Sequence, residues 1–203
     1  MRKKVRSRFI ALAALTTLIG GLSACAKVPQ EAIDAANASL QAAKDAGAAT
    51  YAADSLRAAE DALNTATAEV EAQGGKFALL RSYDEASQLL SQASEAAASA
   101  KTDAEQNREK ARLSAEAAIL AAQSAITSAK SAVDAAPAGK GTRTEIEAMR
   151  SELGALEAAL AQASEMYQAG DYLGALARAE SVKSEADAIS SDVAQAQAKR
   201  GRV

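Results

Sequence analysis

The only cysteine in this 203-residue chain is Cys25, and the chain has neither histidine nor tryptophan. A lone thiol cannot close an intramolecular disulfide, and in an exported protein it is a liability unless it is modified. Without His or a second Cys, the common nucleophile and base pairs and the transition-metal sites lack their members. Carboxylate chemistry remains, in adjacent pairs such as Glu60-Asp61 and Asp84-Glu85, together with the phenols of Tyr51, Tyr83, Tyr167 and Tyr172. Successive residues of a helix point to different sides, so the acidic pairs read as solvated faces rather than as an acid and base or a calcium site. The tyrosines fall near helix ends, where rings cap bundle cores and hydroxyls face out; a ligand cleft lined by them is the functional alternative. No catalytic residue, metal ligand or cofactor is expected, and the chain reads as non-enzymatic.

The remaining chemistry belongs to Cys25 itself. Ahead of it stand Arg2, Lys3, Lys4, Arg6 and Arg8, then an apolar stretch from Phe9 to Ile19, then small residues. This is the layout of an export signal over residues 1–24, too short for the roughly 20 apolar residues of a bilayer span. Leu22-Ser23-Ala24-Cys25 resembles the lipobox of bacterial lipoproteins, an aliphatic residue and two small ones before the cysteine. The resemblance implies a thioether-linked diacylglycerol on Cys25, cleavage after Ala24 and a further acyl chain on the new amino group. Each buried methylene contributes about 0.8 kcal/mol, so two or three chains hold a protein on a membrane where one would not. Ala26, rather than an acidic residue, follows the cysteine. By analogy with Gram-negative lipoproteins, this implies the outer rather than the inner membrane. Residues 25–30 then form a short tether.

The charge balance narrows the partners. Removing the signal leaves 18 basic against 26 acidic side chains, a formal charge of −8. That balance argues against nucleic acid and against adsorption onto anionic lipid. The hydrophobic fraction is 49%, but much of it is alanine, which favours helix and buries little area. Narrow helical bundles follow more readily than a wide core.

The elements are read from the breaks and from the period between them. Gly and Pro cluster at Gly47, Gly74-Gly75, Pro137 to Gly141, Gly154, Gly170, Gly174 and Gly201. The helices expected between the breaks are 31–46, 52–73, 77–136, 142–169 and 171–199. In the fourth, Ile146, Met149, Leu153, Leu156, Leu160, Ala163 and Tyr167 alternate steps of three and four, which is a coiled-coil seam. The fifth continues the pattern through Tyr172, Ala175, Ala179, Val182, Ala186, Ile189, Val193 and Ala196. Weaker versions run through Leu56, Ala59, Leu63, Ala66 and Val70, and through Ile33, Ala36, Leu40 and Ala43. A 3.5-residue period implies left-handed supercoiling of neighbouring helices.

No Gly or Pro interrupts the chain from Tyr83 to Ala136, about 54 residues or about 80 Å of helix if continuous. Both ends carry an apolar face, Tyr83, Ala86, Leu90, Ala93 and Ala97 in the first part and Ile119, Ala122, Ile126, Ala129 and Val133 in the second. The middle, Lys101 to Arg112, reads as polar nearly all round. Residues 32–44 align with 118–130, and Leu56, Leu63 and Tyr83 with Ile146, Leu153 and Tyr172. The expected fold is therefore all-α, elongated, with two coiled-coil-like three-helix units, 31–110 and 111–203, sharing one long central helix. In layout this resembles tandem spectrin-type repeats.

Ala46-Gly47-Ala48-Ala49-Thr50-Tyr51-Ala52-Ala53-Asp54-Ser55-Leu56-Arg57-Ala58-Ala59, followed by Tyr83-Asp84-Glu85-Ala86, resembles the alanine-rich lipoprotein domain known as domain of unknown function 4398. The resemblance spans residues 31 to about 105 and departs from the family pattern at Ala53, where proline is expected, and around Gly74–Phe77. It implies a helical envelope lipoprotein and brings no catalytic residue. Gly170-Asp171-Tyr172 with Ala175 resembles a tetratricopeptide helix start, but the 34-residue period is missing and Asp171 reads as a helix N-cap. The basic tail Lys199-Arg200-Gly201-Arg202-Val203 reads as cations at a helix C-terminus, with cell-wall or headgroup contact as the alternative. The functional expectation is a lipid-anchored structural spacer or adaptor of the cell envelope. It is held to a membrane through acyl chains on Cys25 and meets an envelope protein or itself through its seams. The alternative is a binding module that takes a helix, peptide or lipid on exposed seams.

Overall fold

A computed structural model describes residues 27–136 and 142–200, with the side chains of 199 and 200 excepted. The described residues are all helical apart from their connections, and no strand occurs among them. The order is α1 (Gln30–Asp45), α2 (Ala48–Tyr51), α3 (Ala53–Gly74), a 3₁₀ turn (Ala78–Leu80), α4 (Asp84–Asp134), α5 (Arg143–Gln168) and α6 (Tyr172–Arg200). Packing divides the described residues into two compact units, one of residues 27–49 and 53–101, the other of residues 50–52 with everything from 102 onward.

In the first unit α1 and α3 form an antiparallel hairpin, turned by Gly47 in the left-handed region (φ 86°). The Lys44 ammonium meets the Glu60 carboxylate at 2.7 Å across it. Ala36 of α1, Ala66 of α3 and Leu90 and Ala93 of α4 form a core, with Ile33, Leu63, Val70 and Leu89 partly buried against it. Alanine at alternate layers lets the backbones approach closely, as the seam spacing predicts.

The helix expected from Phe77 starts at Asp84 instead. Gly74-Gly75 ends α3, and the segment after it is extended at both Phe77 (ψ 138°) and Arg81 (ψ 132°). Hydrogen bonds fix this shape. The Gln73 side chain accepts from the Ser82 N–H (3.2 Å) while donating to Glu69 (2.7 Å), and Arg81 Nε donates to the Lys76 carbonyl (2.7 Å). Gln73 continues the α3 seam one step beyond Val70 and is buried there, a polar residue in an apolar position because the turn supplies its partner. Tyr83 is buried, and its hydroxyl lies 4.0 Å from where a Cβ on Gly74 would stand.

Along α4 the polar middle also differs from expectation. Ala104 and Ala111 within it, and Ala100 and Ala115 on its flanks, are buried. From Tyr83 to Ala104 the buried positions alternate steps of three and four; beyond Ala104 they recur at eleven-residue intervals, Ala104, Ala115 and Ile126 along one line and Ala111, Ala122 and Val133 along another. The period thus changes within one helix from 3.5 to about 3.67 residues per turn, so the second part departs from the left-handed supercoil geometry that a heptad imposes.

In the second unit Ile126 and Val133 of α4 pack with Leu153, Leu156 and Leu160 of α5 and with Val182, Ile189 and Val193 of α6. The predicted seams of α5 and α6 are buried or partly buried throughout, except for Ala196, which is exposed one turn from the end of α6. Gly170 (φ 85°) closes α5: its N–H donates to the Tyr167 carbonyl and the Asp171 N–H to the Met166 carbonyl, both at 3.0 Å. Asp171 caps α6 as expected, its Oδ1 accepting the Gly174 N–H at 3.0 Å.

Candidate functional site

Leu22, Ser23, Ala24 and Cys25 lie outside the described residues, as does the end of the basic tail from Gly201. Described structure begins at Lys27, and α1 starts only five residues after Cys25. The tether is therefore short, with exposed Lys27 and Val28 before Pro29 leads into the helix. Proline is well placed at a helix entrance because its missing N–H would have no helical partner there.

The acidic pairs separate as helix geometry requires. Glu60 turns to Lys44 while Asp61 is exposed; Asp84 accepts from the Ser82 hydroxyl at 3.0 Å while Glu85 is exposed. Among the described residues no group of three His, Cys, Asp or Glu side chains is placed to hold a metal ion. Nor is any described helix long and apolar enough to cross a membrane.

All four tyrosines are at helix ends, as expected, and the second unit brings Tyr167 and Tyr172 together across the α5–α6 turn, ring centroids 5.4 Å apart and tilted by 59°. Their partners come from the stretch of α4 that reads as merely polar. Arg112 donates to the Tyr167 hydroxyl (3.0 Å), to Glu109 (2.8 and 2.9 Å) and to Glu116 (3.2 Å). Arg108 stands over the Tyr172 ring, its guanidinium carbon 5.9 Å from the centroid. One residue earlier, the exposed Asn107 donates to the Tyr51 carbonyl at 2.8 Å.

These contacts form one polar cluster. The hydrogen bond from Arg112 holds the Glu109 carboxyl below the usual range, aided by the arginine's charge and opposed by partial desolvation. Hydrogen bonds to Glu109 and Tyr167 push the Arg112 guanidinium higher still, so it stays charged at every attainable pH. A charged arginine held between carboxylates and a phenol has neither a nucleophile nor a base to offer. What it can do is fasten the α5–α6 turn onto α4.

Sequence reasoning missed Arg108 and Arg112. The available signal was faint: alanines at 104, 111 and 115 mark a buried stripe beside Arg112, and two tyrosines at a helix turn need partners for ring and hydroxyl. Every buried side-chain nitrogen and oxygen among the described residues has a hydrogen-bond partner.

No protein-family model, no curated protein and no solved structure matches this chain, so the resemblances at residues 22–25 and 46–86 stand on those residues alone.

Proposed function

We propose that this protein is a lipid-anchored, non-enzymatic lipoprotein of the bacterial cell envelope, whose helical units serve as a structural spacer or adaptor. The observation that carries the reading is the order of features around Cys25: five basic residues, an apolar stretch, and Leu22-Ser23-Ala24 immediately before the only cysteine. Three features of the body support it. The first is a helical fold whose alternating seams are filled, in the second unit, by that unit's own helices. The second is a polar cluster whose members engage one another. The third is a tether of only a few residues between the cysteine and α1, which keeps the first unit close to any surface that holds the acyl chains.

The binding-module alternative needs seams that remain open for a partner. Buried Leu153, Leu160, Val182 and Ile189 leave little for a partner helix in α5 and α6, and this favours the spacer reading.

Crosslinking intact cells that carry the native chain or a Cys25→Ser version, followed by mass spectrometry of what copurifies, tests the role. An envelope protein or wall fragment captured by the native chain and lost in Cys25→Ser is the expected result. Equal capture by both versions would show that anchoring is irrelevant to the partner and would refute the anchored adaptor.

A further inference from the structure

The turn between α3 and α4 exposes three large apolar side chains in four residues: Phe77, Leu79 and Leu80 are 70%, 86% and 74% accessible. Other exposed large side chains, such as Leu113 and Leu120, stand singly on helix surfaces. The turn is not a loose strand of chain. The Gln73–Ser82 and Arg81–Lys76 hydrogen bonds close its base, so the apolar residues are presented on a fixed loop. Clustered apolar exposure of this kind marks a contact surface.

Its location identifies what it meets. The Lys44–Glu60 ion pair sets the register of the antiparallel α1–α3 hairpin. Fourteen residues back from Lys44 is Gln30, the first residue of α1; fourteen onward from Glu60 is Gly74, the last of α3. Equal rise along both helices puts these two ends level, each about 21 Å from the ion pair. Cys25 precedes Gln30 by five residues, a reach of at most about 18 Å. The apolar turn and the cysteine's tether therefore leave the first unit from the same end.

The flanks suit a lipid interface as well. Lys76 and Arg81 bracket the apolar residues in sequence and Lys27 lies in the tether, so cationic heads on long stems can remain at phosphate level while Phe77, Leu79 and Leu80 go deeper.

We propose that the Phe77–Leu80 turn dips into the phospholipid surface to which Cys25 is attached, as a second apolar contact that fixes the orientation of the first unit. This rests on the lipid-anchor reading above. Acyl chains alone hold the protein to the bilayer but leave the unit free to swivel about its tether; a second contact at the same end of the hairpin removes that freedom.

The test uses the full-length protein matured in cells, purified in detergent and reconstituted into vesicles of phosphatidylethanolamine and phosphatidylglycerol. Acylation blocks the native thiol, so Leu79→Cys introduces a single labelling site on the turn. Ala49→Cys introduces one at the opposite, exposed end of the hairpin. Each carries an environment-sensitive fluorophore and is read against lipid spin-labelled high on the acyl chain, while intact mass reports acylation of Cys25.

The expected result is acylated protein whose Leu79→Cys label shifts to the blue and loses emission to the spin-labelled lipid, with the Ala49→Cys label unaffected. Acylated protein whose two labels both behave as in water would overturn the proposal and leave the anchor standing. A Leu79→Cys label that is shielded yet not quenched by lipid would overturn it in favour of a protein contact. Unmodified Cys25 on protein that fails to float with the vesicles would overturn the anchor reading and, with it, this proposal.

Discussion

The two units share a plan, three helices closed around a seam, but fill it differently. Beyond alanine, the first buries Leu56, Tyr83 and Leu90, and its other large seam residues, Ile33, Leu40, Leu63 and Val70, are only partly covered. The second buries Leu153, Leu156 and Leu160 against Ile126, Val182 and Ile189 and adds the arginine–tyrosine cluster. An alanine layer permits close helix approach but removes little apolar area from water, and area is what drives burial. The same topology can therefore rest on unequal stabilities. The first unit is the one expected to open at lower free energy.

The largest test of this difference uses paired core truncations. Leu90→Ala and Leu153→Ala each remove a side chain that is at most 1% exposed, and each is expected to cost roughly 2–5 kcal/mol. Hydrogen exchange read by mass spectrometry should show Leu90→Ala stripping protection from α1 and α3. Leu153→Ala should weaken α5 and α6 while leaving measurable protection there. Greater loss in the second unit would invert the comparison.

A smaller effect comes from Gln73→Ala in the first unit. It leaves the Ser82 N–H without its side-chain partner at the base of the α3–α4 turn, for an expected cost of about 1 kcal/mol. Chemical denaturation should report it, with faster exchange confined to residues near the turn. An unchanged midpoint would mean that water replaces the glutamine without penalty.

Two glycines in the second unit should respond with opposite signs. A Cβ at Gly174 would stand 2.2 Å from Asp171 Oδ2, so Gly174→Ala displaces the N-cap of α6 and is expected to destabilise by about 1 kcal/mol. At Gly154 a Cβ meets nothing within 4 Å, so Gly154→Ala should stabilise α5 by up to about 1 kcal/mol through helix propensity. Melting temperatures that move in the same direction would refute this account of the two sites.

The smallest effect is electrostatic. Arg112 lowers the proton affinity of Glu109 in the folded state, so the unfolded chain binds that proton more readily. The contribution is in place above the ordinary carboxylate range and fades as the pH falls through the lowered value. Because the pair is solvent-exposed, the change is slight and screened by salt. Glu109→Gln should flatten the acid limb of the second unit's stability profile at low ionic strength; an unaltered limb would remove Glu109 from the network's energetics.

The readability of the sequence follows the same divide. In α5 and α6 an apolar residue stands at every step of three or four, so seam, boundaries and the Asp171 cap are all visible. In α4 alanine occupies both buried and exposed positions, so the stripe through Ala104, Ala111 and Ala115 looked no different from its surroundings. Phe77-Ala78-Leu79-Leu80 reads as the opening of a helix, whereas the hydrogen bonds from the Ser82 N–H to Gln73 and from Arg81 to the Lys76 carbonyl hold it as an exposed turn. The link from Arg112 to Tyr167 joins residues 55 apart in sequence, and only packing brings them together. The proposed anchor at Cys25 is the reverse case, resting on the residues around it and lying outside the described structure.

We propose above all that Cys25 anchors these helices to a membrane. Trypsin cleaves after Lys27, so the mature protein extracted from the membrane fraction should yield Cys25-Ala26-Lys27 as its N-terminal peptide, carrying diacylglycerol on sulfur and nothing from residues 1–24. Mass spectrometry of that peptide is the most direct measurement. A diacylglyceryl-modified tripeptide is the predicted result, and a peptide with a free Cys25 thiol, or one that runs back through Ala24, would contradict the account.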